Sequence, residues 1–169
     1  EERGGETKKK KKKRIEVAIS MLESADRSDI TTPYYSRRHQ AAIPTDPATR
    51  VLVTREVLDV SFQRYKDGYR EELNNLDPAR LRLTDCQFAS VVTDDKLKFE
   101  LPTVTEPATD RFGGAESTFP SERGSVAGTT ALFISETESA VEFGRDLFES
   151  LWENADPIGP YVERQFPEL

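Results

Sequence analysis

The sequence predicts an α/β fold, in which helices flank a mixed, mostly parallel sheet. Short apolar runs alternate with stretches of helical periodicity, the pattern of strands joined by helices. Two units show this pattern most clearly, one starting at Arg50–Thr54 and one spanning Gly128–Ile158. We expect these two strand-to-helix units to lie side by side in one shared sheet, leaving a shallow, catalytically bare cleft at their tips.

The unit Gly128–Ile158 is the one around which we expect the fold to be organised. Its run Thr129–Ile134 predicts a strand that is buried on both faces. Ser135 and Glu138 have the spacing of a capping box for the helix that follows. This helix is expected to end just before Pro157. Its apolar stripe contains Val141, Gly144, Phe148, Leu151 and Ala155, beside Trp152, whose exposed edge offers a contact for a second subunit.

The unit at Arg50 continues into the clearest amphipathic helix of the chain. Thr54 is predicted to cap this helix, and Glu56 in its first turn favours the positive end of the helix dipole. Asp77-Pro78 is predicted to end it. Its apolar residues follow one another at steps of three and four: Leu58, Phe62, Tyr65, Tyr69, Leu73 and Leu76.

The rest of the chain supplies shorter elements around these two units. Residues 102–128 are rich in proline and glycine and predict an irregular loop, and the final segment Gly159–Leu169 is expected to dock back. We therefore divide the chain into a disordered basic tail, 1–14, and a single α/β domain, 15–169. The other predicted elements are a helix within Ile15–Ala25, a strand at Ile30–Tyr35, a short helix at Arg37–Ile43, a strand at Arg80–Thr84, and a hairpin formed by Phe88–Thr93 and Lys96–Leu101.

Composition excludes several classes of protein. No apolar run approaches the length of a membrane-spanning helix, and the basic start lacks the features of a signal peptide, so we expect a cytoplasmic location. The single Cys86 excludes an internal disulfide and a multi-cysteine metal site, and we expect no cofactor. From Arg14 onward, 28 acidic residues face 17 basic ones, mostly arginine. This acidic, lysine-poor body is typical of halophilic archaea and has no general affinity for nucleic acid.

A run of lysines precedes this acidic body. One interpretation is an electrostatic contact with DNA or another anionic surface, and the other is a solvated tail foreign to the domain. The lack of an initiator methionine suggests a piece of a longer protein. The run consists of Lys8, Lys9, Lys10, Lys11, Lys12 and Lys13.

Three stretches, Arg50–Leu73, Leu81–Phe99 and Ala131–Ile158, carry a resemblance to a known group of domains. Their order of strands, helix and hairpin resembles the C-terminal effector domains of archaeal winged-helix transcription regulators, either TrmB-type or named for methanogenesis control. These domains are similar to one half of a phospholipase-D-like sandwich. The resemblance implies a non-enzymatic sensor that forms a homodimer, binds a small-molecule effector, and reaches DNA through a winged helix expected upstream.

Phospholipase-D-like enzymes use a His-x-Lys motif, and this sequence departs from it. The single histidine, His39, is followed two residues later by Ala41, where the lysine should stand. The resemblance therefore argues against catalysis. A phosphodiesterase-like hydrolase and a nucleic-acid-binding protein acting through the lysine run are the alternatives.

A ligand site is expected beyond the carboxyl ends of the strands, where loops and helix N-termini meet. Tyrosine, histidine and arginine there suit a sugar, a nucleotide or an organic anion. Structural roles are the alternative, with the threonine and serine as helix caps, one tyrosine in the core and the histidine bonded locally. The candidate residues are Thr32, Tyr34, Tyr35, Arg38, His39, Thr54, Arg55 and Ser135.

Overall fold

The structure, a computed structural model, describes residues 16–35, 37–66, 77–103, 128–165 and 167. The lysine run, the predicted helix beyond Lys66, most of the predicted loop 102–128, and Phe166 lie outside these ranges. The strands are β1 Asp29–Thr32, β2 Arg50–Val53, β3 Leu81–Leu83, β4 Ala89–Val92, β5 Leu97–Thr103, β6 Gly128–Ser135 and β7 Asp156–Pro157. The helices are α1 at residues 16–23, α2 Arg37–Ala42, α3 Arg55–Lys66, α4 Glu138–Asn154 and α5 Gly159–Gln165.

The strands form one mixed sheet, in the order β6-β5-β4-β1-β2-β3-β7. The centre is parallel, because α2 and α3 cross over between β1, β2 and β3. All other neighbours pair antiparallel, including the predicted β4–β5 hairpin and the short β7 beside β3. The predicted class, a mixed α/β sheet flanked by helices, is confirmed, with parallel pairing confined to the centre.

The predicted position of β6 was wrong. It was expected to be buried on both faces and beside β2, but it forms the edge of the described sheet, and β5, β4 and β1 separate it from β2. Phe133 is 52% exposed and Ile134 is 46% exposed. The reason is that α4 packs mainly against β1, β4 and β5, so the side chains of β6 remain largely exposed. A short apolar run looks the same in the sequence whether its strand lies at the centre of a sheet or at its edge.

The predicted capping box at Ser135 was also wrong. Ser135 is still part of the sheet, where it pairs with Leu97 of β5, and the N-cap of α4 is Thr137. The Ser135 hydroxyl accepts a hydrogen bond from the Thr137 backbone N–H at 3.2 Å. The helix therefore begins two residues later than a cap at Ser135 requires. The predicted stripe of α4 is correct at its centre, where Val141, Gly144 and Phe148 are buried.

The sheet has a core on each face, because side chains alternate along every strand. We call the two faces the α3 face and the α4 face. The α4 face carries Val92 and Leu97 beneath Val141. The larger core, on the α3 face, joins residues of the central strands to α1, α2, α3 and α5. Its strand residues are Ile30, Val51, Val53, Leu81, Leu83 and Val91.

Two arginines hold the end of α4 on the sheet. Arg50 donates to both oxygens of Asp29, at 3.0 and 3.1 Å, and bonds Glu149 of α4 at 2.9 Å. Arg82 donates to the Trp152 carbonyl at 2.7 Å. Both guanidinium groups lie over the Trp152 ring, 5.3 and 4.6 Å from its centroid. Trp152 is therefore an anchor for α4 rather than a free edge.

Gly144 allows α4 to approach the sheet closely. A Cβ atom at this position would lie 2.7 Å from Leu97 Cδ1 and 3.1 Å from Val92 Cγ2. Both neighbours are buried, so they have little room to move. The glycine therefore sets the distance between α4 and the β4–β5 hairpin.

We expect Gly144→Ala to lower the free energy of unfolding by about 1 kcal/mol, measured in urea. Overpacking a core costs about 1–3 kcal/mol, and the better helix propensity of alanine offsets about 1 kcal/mol. Gly159→Ala is the control, because a Cβ there meets no heavy atom within 4 Å. Equal stability of Gly144→Ala and the wild type would contradict this packing.

The helix α5 docks on the α3 face, as predicted for the final segment. Tyr161 and Val162 pack against the larger core. The Tyr161 hydroxyl donates to Asp59 Oδ1 of α3 at 2.7 Å. Burial, together with this bond and the negative charge of Asp59, raises the pKa of Tyr161 to about 12. The folded chain thus holds the phenol proton more tightly than the unfolded chain, whose tyrosines ionise near the ordinary value of 10.0.

Stability from the Tyr161–Asp59 bond should be fully present below pH 10 and should be lost as the pH rises through about 12. Denaturant unfolding at a series of alkaline pH values should show a steeper loss for the wild type than for Tyr161→Phe. Tyrosinate absorbance should resolve a late-ionising group that is missing from Tyr161→Phe. Ionisation of all five tyrosines together near pH 10 would contradict the assignment.

Candidate functional site

A cavity of about 70 Å³ lies on the α3 face, beside the carboxyl end of β1. Side chains of α1, α2 and α3 cover it, and Ile30, Val53 and Val57 form part of its apolar wall. The cavity is large enough for several water molecules or one small organic molecule, but it is far below the size of a drug-sized pocket. It occupies the place where open α/β sheets bind ligands.

Four of the candidate residues line this cavity: Thr32, Tyr34, Tyr35 and His39. Pro33 stops β1, and the Thr32 hydroxyl then donates to the Tyr34 carbonyl at 2.6 Å, which forms a tight turn. This turn brings the Tyr34 ring to 6.1 Å from the ring of His39 on α2. Tyr35 is buried in the larger core, and Tyr34 is half-buried. The two tyrosines thus divide between core and cavity rim.

The other four candidates do not line the cavity. Arg38 and Arg55 are exposed at the starts of α2 and α3. Thr54 is buried, and its hydroxyl accepts from the Val57 N–H at 3.4 Å, so it caps α3. Ser135 lies on β6, at the edge of the sheet. Proximity in sequence to a strand end was therefore too coarse a criterion, because the direction of each side chain also decides whether it reaches the site.

A buried pair of charged residues at the cavity was not predicted from the sequence. Lys98 and Glu100 of β5 are only 2% and 7% exposed, and Lys98 Nζ lies 2.7 Å from Glu100 Oε2. The Tyr34 hydroxyl donates to the same Glu100 oxygen at 3.2 Å. Lys98 lines the cavity directly. Gln40 and Ser61 also line it.

The alternation of β5 explains why these charges are buried. Leu97 lies on the α4 face, so Lys98 and Glu100 must point to the opposite face. In the sequence KLKFEL this alternation is typical of a strand with one solvated side. The signal available in the sequence was the Lys-x-Glu spacing, which places opposite charges side by side on one face of a strand.

The cavity combines a mostly apolar wall with the ammonium group of Lys98, whose partner Glu100 lies just outside the lining. The Lys98 ammonium carries three N–H donors, and among the described residues it bonds only to Glu100. Two of these three donors therefore have no protein acceptor among the described residues. Within the same residues, no group of histidine, cysteine and carboxylate side chains is arranged to hold a metal ion. No described helix is long and apolar enough to cross a bilayer.

Comparison with known families identifies the domain type. Residues 13–154 match the family described as "Methanogenesis regulatory protein FilR1, middle domain". The chain belongs to this family. The predicted resemblance to regulators named for methanogenesis control is thereby confirmed, and the FilR1-type middle domain is a domain of regulatory proteins.

Among solved structures, this FilR1-type domain is similar to TrmBL2, an archaeal chromatin protein whose structure "shows a novel mode of DNA binding". The TM-score is 0.48 at 15% sequence identity, over 83% of this chain and 49% of that chain. This chain thus spans about half the length of TrmBL2. No curated protein sequence matches it.

We expect Lys98→Met and Glu100→Gln each to destabilise the FilR1-type domain, measured by urea unfolding. Removing Lys98 leaves an uncompensated carboxylate in the core, a change that costs about 3–5 kcal/mol. The double variant should be more stable than the sum of the two single losses predicts, because it removes both charges and the new amide oxygen can still accept from Tyr34. Additive losses would show that the ion pair contributes no coupling.

Proposed function

We propose that this chain is a non-enzymatic effector-sensing and dimerisation domain of an archaeal transcription regulator. Family membership supports the regulatory role, and the cavity with its buried ion pair supports the sensing role. Contact with DNA would then be made by a winged-helix domain rather than by this acidic body. The arginine-rich, acidic composition supports a halophilic source.

The observation that carries the proposal is the burial of the charged Lys98 side chain beside a mostly apolar cavity. A charged pair in a core is costly compared with apolar residues of similar volume, so it is weak evidence for a stabilising role. Its position against open space instead suits a polar contact with a guest. Among the described residues only Glu100 accepts a hydrogen bond from Lys98, so two of its three N–H donors remain for the guest.

The charges of the site indicate the chemistry of the effector. Lys98 is already paired with Glu100, so an anionic guest at the same ammonium would compete with this carboxylate. A small neutral molecule with carbonyl or hydroxyl oxygens and a short apolar part fits both the wall and the donors. The volume of about 70 Å³ disfavours the nucleotides and sugars considered from sequence.

The effector would act through the segments that meet at Glu100. Tyr34 connects this carboxylate to the turn between β1 and α2, and α2 contributes His39 and Gln40 to the cavity. A guest that draws Lys98 away from Glu100 would change the bond to Tyr34 and thereby the position of α2. Such a shift is the differential contact that an effector needs to favour one state over another.

Thermal unfolding in the presence of matched small molecules tests this proposal. We expect propionamide and similar neutral amides, alcohols and ketones to raise the melting temperature, and the isosteric anion propionate not to raise it. Stabilisation follows from binding to the folded state alone and increases with the ratio of ligand concentration to Kd.

Two tyrosine variants locate the binding site. Tyr34→Phe removes the hydroxyl that holds Glu100, and it should weaken binding about tenfold, the value of one hydrogen bond to a charged group. Tyr161→Phe removes a hydroxyl that also donates to a carboxylate, but on α5, and it should leave binding unchanged. Absence of stabilisation by every neutral compound, or equal binding by both variants, would refute the proposed site.

A further inference from the structure

The large apolar side chains that are exposed in the described residues all lie at one edge of the sheet. Phe133 and Phe143 are 52% and 60% exposed, on β6 and α4. We call the set the β6 surface. It comprises Leu101, Leu132, Phe133, Ile134 and Phe143. Exposed apolar residues scattered singly are ordinary, but a contiguous cluster indicates a contact site.

The backbone of β6 is open to a further strand. β6 is the terminal strand of the described sheet, so its outer N–H and C=O groups have no strand partner among the described residues. Proteins usually block such an edge with charged residues, proline or a covering element. Ala131–Ser135 contains neither charge nor proline. This edge therefore has the composition of a strand that pairs with another strand.

Both faces of β6 offer apolar contacts to such a strand. Leu132 and Ile134 point to the α3 face, because they pair with Glu100 and Lys98 of β5. Phe133 points to the α4 face, where it lines an open groove of about 400 Å³ together with Phe143. Of the residues that the structure describes, no charged one lines this groove. An occupant must therefore present a free strand edge and apolar residues on both of its faces.

We propose that the occupant is β6 of a second copy of this chain, paired antiparallel about a two-fold axis. This inference rests on the dimerisation proposed above and gives it a surface. β6 itself has the required open edge and apolar residues on both faces, so the two copies are self-complementary. Because the chain carries a net charge of −7, an uncharged strand edge lets two copies meet without local charge repulsion.

Charge at the end of β6 agrees with this arrangement. Lys96 and Glu136, which flank the patch, bond each other at 3.1 Å and so offset each other's charge, while Glu16 lies beside them. The dimer interface is also next to the effector cavity. Lys98 and Glu100 lie on β5 directly opposite Ile134 and Leu132 of β6. A change at the ion pair is therefore one strand away from the interface.

The molar mass of the full 169-residue chain, measured by light scattering over a range of concentrations, tests the proposal. We expect a dimer for the wild type and a single-chain mass for Phe133→Asp. Ser150→Asp is the matched control, since it adds the same charge at an exposed position of α4 and should remain dimeric. Circular dichroism checks that each variant is folded. If Phe133→Asp does not fold, the same mass measurement is made on Phe143→Asp, whose substitution lies on α4.

Each outcome has a distinct consequence. Loss of the dimer in Phe133→Asp or Phe143→Asp, with retention in Ser150→Asp, supports the β6 surface. A dimer that survives both phenylalanine variants overturns this surface but leaves dimerisation intact. A wild-type monomer at every concentration overturns both the β6 surface and the proposed dimerisation. Effector binding is measured separately by thermal unfolding, so its failure is distinguishable from either result.

Discussion

The strict alternation of side chains along β5 is the constraint on which this domain depends. Leu97 must face α4, because Gly144 brings that helix within contact of it. Lys98 and Glu100 are therefore forced into the opposite core, where charge is costly. Their short ion pair and the Tyr34 hydroxyl offset part of that cost. The same constraint thus places α4 on one face of the sheet. On the other face it places the Lys98–Glu100 pair beside a mostly apolar cavity.

This arrangement joins three features that are far apart in the sequence. The turn after β1 supplies Tyr34, the hairpin supplies Glu100, and β6 pairs with the outer side of β5. The cavity and the apolar edge are therefore two sides of one antiparallel strand pair. A regulatory domain requires a site whose occupancy changes the contacts of another surface. In this domain β5 borders the cavity through Lys98 and pairs with β6 at the apolar edge, so one strand connects the two surfaces.

Local periodicity predicted most elements but not their neighbours in space. The stripe of α4 was recognised because Val141, Gly144 and Phe148 repeat at helical steps. The edge position of β6 was not, since the sequence of an apolar strand does not record whether a helix covers it. Strand pairing also determines where α4 begins. Ser135 remains in the sheet opposite Leu97, so the N-cap is Thr137.

Only four of the eight candidate residues line the cavity, because the local sequence does not specify which residues become neighbours in space. The rule of the strand ends selected Thr32, Tyr34, Tyr35 and His39, and these four residues line the cavity. Thr54 followed the same rule, but capping of α3 uses its hydroxyl. The sequence did not predict the burial of Lys98 and Glu100, because alternating charge in a strand normally indicates a solvated face. Their burial depends on α1 and on the β1–α2 turn, which only the tertiary structure brings over β5.

Methyl NMR during titration with propionamide is the most direct test of the central claim that the cavity on the α3 face is the effector site. The account predicts shifts of the Ile30, Val53 and Val57 methyl groups, which line the cavity. The methyl groups of Val141, on the opposite face of the sheet, should not move. Shifts confined to Val141 and its neighbours, or no shift at any methyl group, would contradict the account.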